Sequence, residues 1–214
     1  MNIKSSCIVF LLAAGLVSCK KKDTTPPLVT LNGDAIVYVS LNSAFIDPGA
    51  TAYDDKDGVI PVSVDNTVDV NFAGTYYVNY NANDAAGNGG DAVRTVIVSN
   101  DADHYLGTWF GTTIQGTDTS HFYPVLSTST QLNNRIWLVC YATATNATVY
   151  ADLRYDTIML PHQLIEAGSP FQTHAYTGSG FIKTISDTLE FEINYTDSVS
   201  GIINTGKTIY KKIN

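Results

Sequence analysis

Short runs of alternating apolar and polar residues, separated by Gly, Pro, Asn and Asp, recur along most of this chain. Alternation with a period of two is typical of β-strands that bury one face. In segment 76–82 it places Tyr76, Val78, Tyr80 and Ala82 on one side. Because no stretch shows sustained helical periodicity, the pattern predicts an all-β protein.

The runs in the first half of the chain predict a two-sheet sandwich, because several short strands follow one another at regular spacing. These runs are 28–31, 35–39, 62–64, 75–82 and 91–98. Tyr76 follows Gly74-Thr75 and precedes Val78 by two residues, as in a tyrosine corner, where the hydroxyl bonds an upstream carbonyl. A tyrosine that simply packs in the core explains the same pattern.

A polar stretch at 99–104 separates these runs from a second set, which places a domain boundary near residue 102. The second set comprises 107–116, 120–128, 134–142, 146–153, 155–160, 178–185, 187–196 and 205–213. Asn133-Asn134 and Thr205-Gly206 are predicted turns between runs. Eight antiparallel strands in chain order close most economically as an up-and-down barrel, because closure removes exposed edges.

One strand of this second set shows the alternation clearly. Leu189, Phe191, Ile193 and Tyr195 form an apolar face, and Glu190, Glu192, Asn194 and Thr196 form a polar one. We expect the first face to point into the barrel and the second into solvent.

The N-terminal segment carries Lys4 and an apolar run from Cys7 to Val17. That run is too short for a membrane helix, which needs roughly 20 residues, and it is typical of a signal peptide. Leu16-Val17-Ser18-Cys19 resembles the lipobox of bacterial lipoproteins. The resemblance implies removal of residues 1–18, lipidation of Cys19, and a firm anchor, because two or more acyl chains bind membranes stably. An ordinary signal peptide cut near this place is the alternative.

Residues 19–25 are predicted to form a tether behind the lipid. Its run Cys-Lys-Lys-Lys-Asp resembles the signals that send Bacteroidetes lipoproteins to the outer cell surface. We therefore expect an outer-membrane protein that faces either the surface or the periplasm. The formal net charge of −8 argues against nucleic-acid partners, which require a basic face.

Residues 26–99 resemble the bacterial Ig-like repeat of surface proteins and of a pesticidal crystal toxin. The motifs that carry the resemblance are Pro26-Pro27-Leu28-Val29-Thr30-Leu31-Asn32-Gly33, Asp47-Pro48-Gly49-Ala50, Gly74-Thr75-Tyr76 and Asp84-Ala85-Ala86-Gly87-Asn88. The resemblance implies an Ig-like sandwich that serves as a spacer or adhesion module, without catalysis.

Residues 103–214 resemble a lipocalin-like barrel. Gly107-Thr108-Trp109 is similar to the Gly-x-Trp that opens lipocalins, although the arginine that lipocalins carry near the last strand is absent. Lys211 or Lys212 is expected to replace it by packing over Trp109. The segments 134–137, 158–163 and 210–212 are similar to small lipocalin-like domains of Bacteroidetes lipoproteins.

One acidic segment has the spacing of a calcium loop. Asp54, Asp55 and Asp57 precede Gly58, as at the start of an EF-hand, but the closing Glu is missing. Asp84 and Asn88 would complete a site if the sandwich brings them to the same end. We expect instead that these side chains cap their own backbone in Asx turns.

No catalytic residue or cofactor is predicted, and calcium is the one metal left open. The four histidines lack metal-ligand spacing, and Cys140 is expected to be a small buried hydrophobe. The candidate ligand-binding residues are the aromatics Trp109, Trp137, Tyr141, Tyr150 and Phe171. The leading expectation is non-catalytic binding of a glycan or small apolar molecule by the barrel. A structural or adhesion role with protein partners comes second, and a hydrolase third.

Overall fold

The computed structural model describes residues 21–139, 147–168 and 170–213. Cys19, Cys140 and Tyr141 lie outside these residues, so their predicted roles remain predictions. The described chain forms β-strands and one 3₁₀ helix, Asp101–Tyr105. The predicted all-β class is confirmed. No helix in these ranges is long and apolar enough to cross a bilayer.

The first domain is the predicted Ig-like sandwich of two sheets. One sheet contains β1 (Leu28–Leu31), β3 (Ala50–Asp54) and β4 (Gly58–Ile60), in that order. The other contains β2 (Ile36–Ser40), β7 (Gly89–Ser99), β6 (Gly74–Asn83) and β5 (Ser63–Asn66). Val78, Tyr80 and Ala82 on β6 are buried between the sheets, as the alternation predicts.

Strands β3 and β4 were not among the predicted runs. The inward positions are Ala52 and Asp54 on β3 and Gly58 and Ile60 on β4, so only one large apolar side chain marks this pair of strands. The backbone nevertheless pairs as a hairpin, with Asp54 opposite Gly58. The acidic segment that resembles a calcium loop is the turn of this hairpin.

The tyrosine corner is confirmed. The hydroxyl of Tyr76 donates a hydrogen bond of 2.7 Å to the carbonyl oxygen of Phe72, four residues upstream. This bond fixes the chain where it enters β6.

A buried arginine ties together two of the Ig-like motifs. Arg94 on β7 is fully buried, and its guanidinium donates to the carboxylate of Asp47 and to the hydroxyl of Tyr80. It also donates to the carbonyl oxygens of Asn32 and Asp34. Burial, together with the bond to Asp47, raises the pKa of Tyr80 to about 12. Asp47 of the Asp-Pro-Gly motif therefore neutralises the buried guanidinium of Arg94, which would otherwise lack a charge partner.

The second domain is a closed antiparallel barrel whose strands follow in chain order. Its strands are β8 (Gly107–Gln115), β9 (Asp118–Phe122), β10 (Val125–Thr128), β11 (Arg135–Val139), β12 (Thr148–Arg154), β13 (Thr157–Ala167), β14 (Gln172–Ile185), β15 (Thr188–Val199) and β16 (Ile202–Lys212). Closure is made by β8, which pairs with β16 on one side and with β9 and β10 on the other. The short strands β9 and β10 both pair with β8 and together take the place of one barrel strand, so the nine strands make an eight-stranded barrel. The predicted barrel is confirmed.

Several of the predicted strand bounds are wrong. The run 120–128 is broken at Pro124, which has no N–H to donate and instead accepts from the backbone of Trp109. Strand β13 continues past Pro161 with a register shift, because the Gln163 side chain bonds both backbone groups of Tyr150 in place of the ladder. Strand β14 begins at residue 172 rather than 178.

The predicted turn at Thr205-Gly206 is also wrong, because both residues lie within β16. Gly206 faces Tyr195, and a Cβ at this glycine would lie 2.6 Å from the tyrosine hydroxyl. The glycine therefore makes room for a ring inside the barrel. The turn before β16 is Ser200-Gly201, where both residues have positive φ. The predicted Asn133-Asn134 turn is confirmed, with φ 59° at Asn134.

The end of the barrel next to the sandwich, called here the proximal end, is closed by Trp109. The indole is fully buried, stacks on Phe191 and donates a 3.0 Å bond to the carbonyl oxygen of Tyr105 in the 3₁₀ helix. The ammonium of Lys212 lies over the ring, 6.0 Å from its centroid, so Lys212 is the one of the two candidate lysines that contacts Trp109.

Asn100 lies between the two predicted domains and is buried against the barrel. Its Nδ2 donates to the carbonyl oxygens of Ser129 and Leu132, and its Oδ1 accepts from the backbone N–H of Ala102 and Asn134. Ala102 belongs to the buried core of the barrel. The segment that reads as a polar linker is therefore a structural part of the second domain.

The loop 129–134 also bonds the sandwich. The carbonyl oxygen of Thr130 accepts a 2.8 Å bond from the N–H of Ala73. The side chain of Asn42 donates to the carbonyl oxygen of Gln131 and accepts from the N–H of Asn133. These bonds join the barrel to the end of the sandwich from which the chain leaves β7.

Candidate functional site

The inside of the barrel changes from apolar to polar along its axis. The inward positions near the proximal end carry Trp109, Phe191 and Tyr210, all fully buried. At the opposite end, called here the distal end, the inward positions of four adjacent strands carry polar side chains. They are Gln115 on β8, Asn204 on β16, Asp197 on β15, and Gln172 and His174 on β14.

These polar residues line an open cleft of about 340 Å³, called here the distal cleft. Val199, Ser200 and Ile202, at the turn between β15 and β16, form its rim. The volume lies at the small end of the range of about 300–1,000 Å³ that ligand sites occupy. A cleft of this size takes a molecule with one or two rings.

The charged centre of the distal cleft is a carboxylate–imidazole pair. The Nδ1 atom of His174 lies 2.9 Å and 3.0 Å from the two carboxylate oxygens of Asp197. Asp197 is only 5% exposed. The strand register brings Asp197 close to His174, because Asp197 lies directly opposite Tyr176 on β14 and Asn204 on β16. His174 lies two residues from Tyr176 on the same face of β14.

Two tyrosines form the floor beneath this pair. Burial, with the nearby charge of Asp197, raises the pKa of Tyr176 above the ordinary tyrosine range and that of Tyr195 to about 12. The ring of Tyr176 stacks parallel to that of His174, and its hydroxyl lies 3.3 Å from Nδ1. Both hydroxyls therefore stay protonated at neutral pH.

The aromatic residues predicted to bind ligand do not converge on one cavity. Trp109 is fully buried at the proximal end, whereas Phe171 is 70% exposed just before β14. Trp137 and Tyr150 pair edge to face on neighbouring strands, at outward positions of the barrel. Arg135 lies over the Tyr150 ring at 4.0 Å. A shared binding site for these four residues is therefore absent from the structure.

The His174–Asp197 pair of the distal cleft resembles two of the three members of a hydrolytic triad. An imidazole oriented by a buried carboxylate is the base of such a triad. Within the described residues, the only hydroxyl within hydrogen-bonding distance of His174 is that of Tyr176, whose raised pKa makes it a poor nucleophile. The geometry provides a polar binding surface without an activated nucleophile from these residues.

The carboxylates of Glu190 and Glu192 lie on the outer face of the barrel, as predicted. Both bond Lys183, while Lys211 pairs with Glu190 and Lys207 with Glu192. The bond from Lys183 lowers the pKa of Glu192. A glycosidase acid needs a raised pKa instead, so Glu192 does not match one, and Glu190, only 6% exposed, shares Lys183 with it in one charge network.

The calcium candidates do meet at one end of the sandwich. Oxygens of Asp54, Asp57 and Asp84 all lie within 4.8 Å of one another. Asp55 belongs to a neighbouring group with Asp54 and Asp23. Asn88 bonds Asp84 through its backbone and side-chain N–H groups.

The predicted Asx turns are also present in this region. Oδ1 of Asp54 accepts from the backbone N–H groups of Lys56 and Asp57.

The residues of the distal cleft were missed by sequence reasoning, which treated the histidines as scattered. One signal was available on β15. The inward series Leu189, Phe191, Ile193 and Tyr195 continues, at the next inward position, with the carboxylate of Asp197. A charge on an otherwise apolar face marks either a buried ion pair or a site.

Comparison with known proteins identifies part of the chain. Residues 29–98 match a family model described as the Ig-like domain of bacterial surface proteins. The crystal structure of a lipoprotein from Bacteroides thetaiotaomicron is similar at 17% identity with a TM-score of 0.34, covering 87% of this chain and 100% of that one. A TM-score this low does not establish a common fold. No curated protein matches the chain.

Proposed function

We propose that this chain is a lipid-anchored, non-catalytic binding protein of the bacterial cell envelope, and that its distal cleft holds a polar, hydroxyl-bearing ligand such as a glycan unit. The observation that carries the proposal is the buried Asp197–His174 pair at the centre of an open cleft. Burying a carboxylate beside an imidazole costs desolvation free energy, which a barrel built only for stability would avoid with apolar side chains.

The chemistry of the distal cleft favours a glycan over an apolar molecule. A carboxylate accepts hydrogen bonds, whereas the amide side chains of Gln115, Gln172 and Asn204 both donate and accept them. Sugar hydroxyls also do both, so each hydroxyl finds a partner in such a ring of groups. An apolar ligand would have to enter deeper, where Phe191 and its buried neighbours fill the barrel.

The arrangement of the chain supports a role at a surface. Thr25, in the tether, accepts a bond from Asn88 at the turn between β6 and β7, and the barrel follows the opposite end of β7. Strand β7 has 11 residues, so it separates these ends by about 35 Å. If Cys19 carries lipid, the sandwich acts as a spacer and the distal cleft faces away from the membrane.

A glycan array tests the proposal with the soluble chain that starts at Lys21. We expect selective binding to a subset of sugars, lost in Asp197→Asn and retained in Glu192→Gln. The second variant is the matched control, because it neutralises a carboxylate on the outer face of the same strand. Equal binding by both variants, or no binding by the wild type, would contradict a glycan site in the distal cleft.

A spacer or adhesion role is the second candidate. The filled barrel and the hydrogen bonds between loop 129–134 and the sandwich favour it, because they join the domains into a stiff rod. In that case the wild-type chain would bind no small sugar, and its partner would be a protein.

A further inference from the structure

Three carboxylates converge at the end of the sandwich that adjoins the tether. Asp54 ends β3, Asp57 lies in the β3–β4 turn, and Asp84 follows β6. One oxygen from each lies within 4.8 Å of the others, and Asp54 and Asp84 are only 1% and 7% exposed. Three negative charges at this distance repel one another strongly when two of them are removed from water.

No basic side chain of the described residues neutralises this group by an ion pair. Lys56 is adjacent in sequence, but its ammonium lies 2.6 Å from the carboxylate of Asp23 instead. An acidic group with two buried members is stabilised by a counter-charge, and a bound cation would supply one.

Asp54 also has a free buried acceptor. Its Oδ1 atom caps the turn, whereas its Oδ2 atom is buried and has no hydrogen-bond partner in the described structure. A buried carboxylate oxygen without a donor is rare, because leaving it unsatisfied costs more than an ordinary lost hydrogen bond. A cation bound at Oδ2 would remove this penalty.

The loops that carry the carboxylates are already held in place. The N–H of Ala85 donates a 2.7 Å bond to Oδ2 of Asp57, which joins the β3–β4 turn to the β6–β7 turn. The backbone N–H and the side-chain Nδ2 of Asn88 donate to the two carboxylate oxygens of Asp84, so this carboxylate is held in a fixed orientation.

We propose that Asp54, Asp57 and Asp84 bind a calcium ion. Calcium takes oxygen ligands at about 2.3–2.6 Å in flexible geometry, so two ligands on opposite sides are separated by roughly 5 Å. The observed separations fall within that limit. Zinc prefers nitrogen and sulfur ligands, which this group lacks. Bound calcium would clamp the two turns together where the tether leaves the sandwich.

Calorimetric titration of the purified full chain, after removal of calcium with EDTA, tests this site. We expect one calcium ion to bind with a Kd of roughly 10⁻⁴ to 10⁻³ M, as in extracellular modules, and to raise the melting temperature. Magnesium at the same concentration should bind more weakly, because it requires stricter octahedral geometry.

Two variants locate the ion, and a third serves as the control. Asp54→Asn and the exposed-turn variant Asp57→Asn should each weaken calcium binding by about tenfold or more, since affinity follows ligand charge. Asp65→Asn removes an exposed carboxylate from β5 and should leave the affinity unchanged. If Asp54→Asn fails to fold, the calcium affinity of Asp57→Asn alone tests the proposed site. The absence of binding by the wild type, or equal affinity in Asp57→Asn, would overturn the proposal.

Discussion

The indole of Trp109 stacks on the ring of Phe191, with centroids 4.6 Å apart and planes inclined by 21°. The two residues come from β8 and β15 and meet inside the barrel next to the 3₁₀ helix. Trp109 therefore closes the proximal end, and the ligand role predicted for it finds no support in its position.

Replacing Trp109 with alanine tests the closing role. We expect Trp109→Ala to lower the free energy of unfolding by roughly 3 to 5 kcal/mol, from lost burial and the cavity left behind. Denaturant melts measure the change. Trp137→Ala, at a 36% exposed position on the outer face, is the matched control and should cost about 1 kcal/mol or less. Equal losses in the two variants would show that Trp109 does not close the barrel.

The buried ion pair of the sandwich makes a second prediction. Arg94→Ala should cost roughly 3 to 5 kcal/mol, because it leaves the Asp47 carboxylate without its charge partner. Arg135 forms a bidentate pair with Asp152 on the partly exposed barrel surface, so Arg135→Ala should cost about 1 kcal/mol or less. Urea melts of the two variants measure both losses in the free energy of unfolding. A small loss in Arg94→Ala would mean that the network does not stabilise the sandwich.

The extent of the barrel domain is a third prediction. The two domains are expected to fold separately, but the bonds of Asn100 and the burial of Ala102 show that a barrel fragment needs both residues. Fragment 100–213 should be more stable than fragment 103–213 by about 2 kcal/mol, since the shorter one lacks a helix cap and several buried bonds. Thermal melts of the two fragments give the difference. Identical melting temperatures would place the boundary at 103.

Much of the fold follows from alternation in the sequence. The sandwich, the barrel and the inward face of β15 are recoverable because apolar side chains mark them. Strands β3 and β4 were not recoverable, since Asp54 occupies a buried position there. The end of β13 could not be predicted, because a proline such as Pro161 normally ends a strand. Only the structure shows that the Gln163 side-chain amide replaces the missing ladder bond, so the strand continues.

The distal cleft was less predictable than the fold. Its residues are far apart in sequence, and their meeting depends on the register of β14, β15 and β16. Trp137 and Phe171 were predicted to bind ligand because they are aromatic. Aromatic side chains also pack in the core or lie on the surface, so residue type alone does not locate a binding site. The acidic group near Asp54 was recognisable in sequence, but the unpaired Oδ2 atom was not.

The central claim is that the distal cleft, rather than the outer barrel surface, holds the ligand. Its most direct test is the affinity of two asparagine variants for the best sugar from the array, measured by calorimetry. Asn204 faces the distal cleft, whereas Asn194 lies on the outer face of β15 beside a second groove. We predict that Asn204→Ala weakens binding by about tenfold, or about 1.4 kcal/mol, and that Asn194→Ala leaves it unchanged. The reverse order would contradict the claim and move the site to the outer groove.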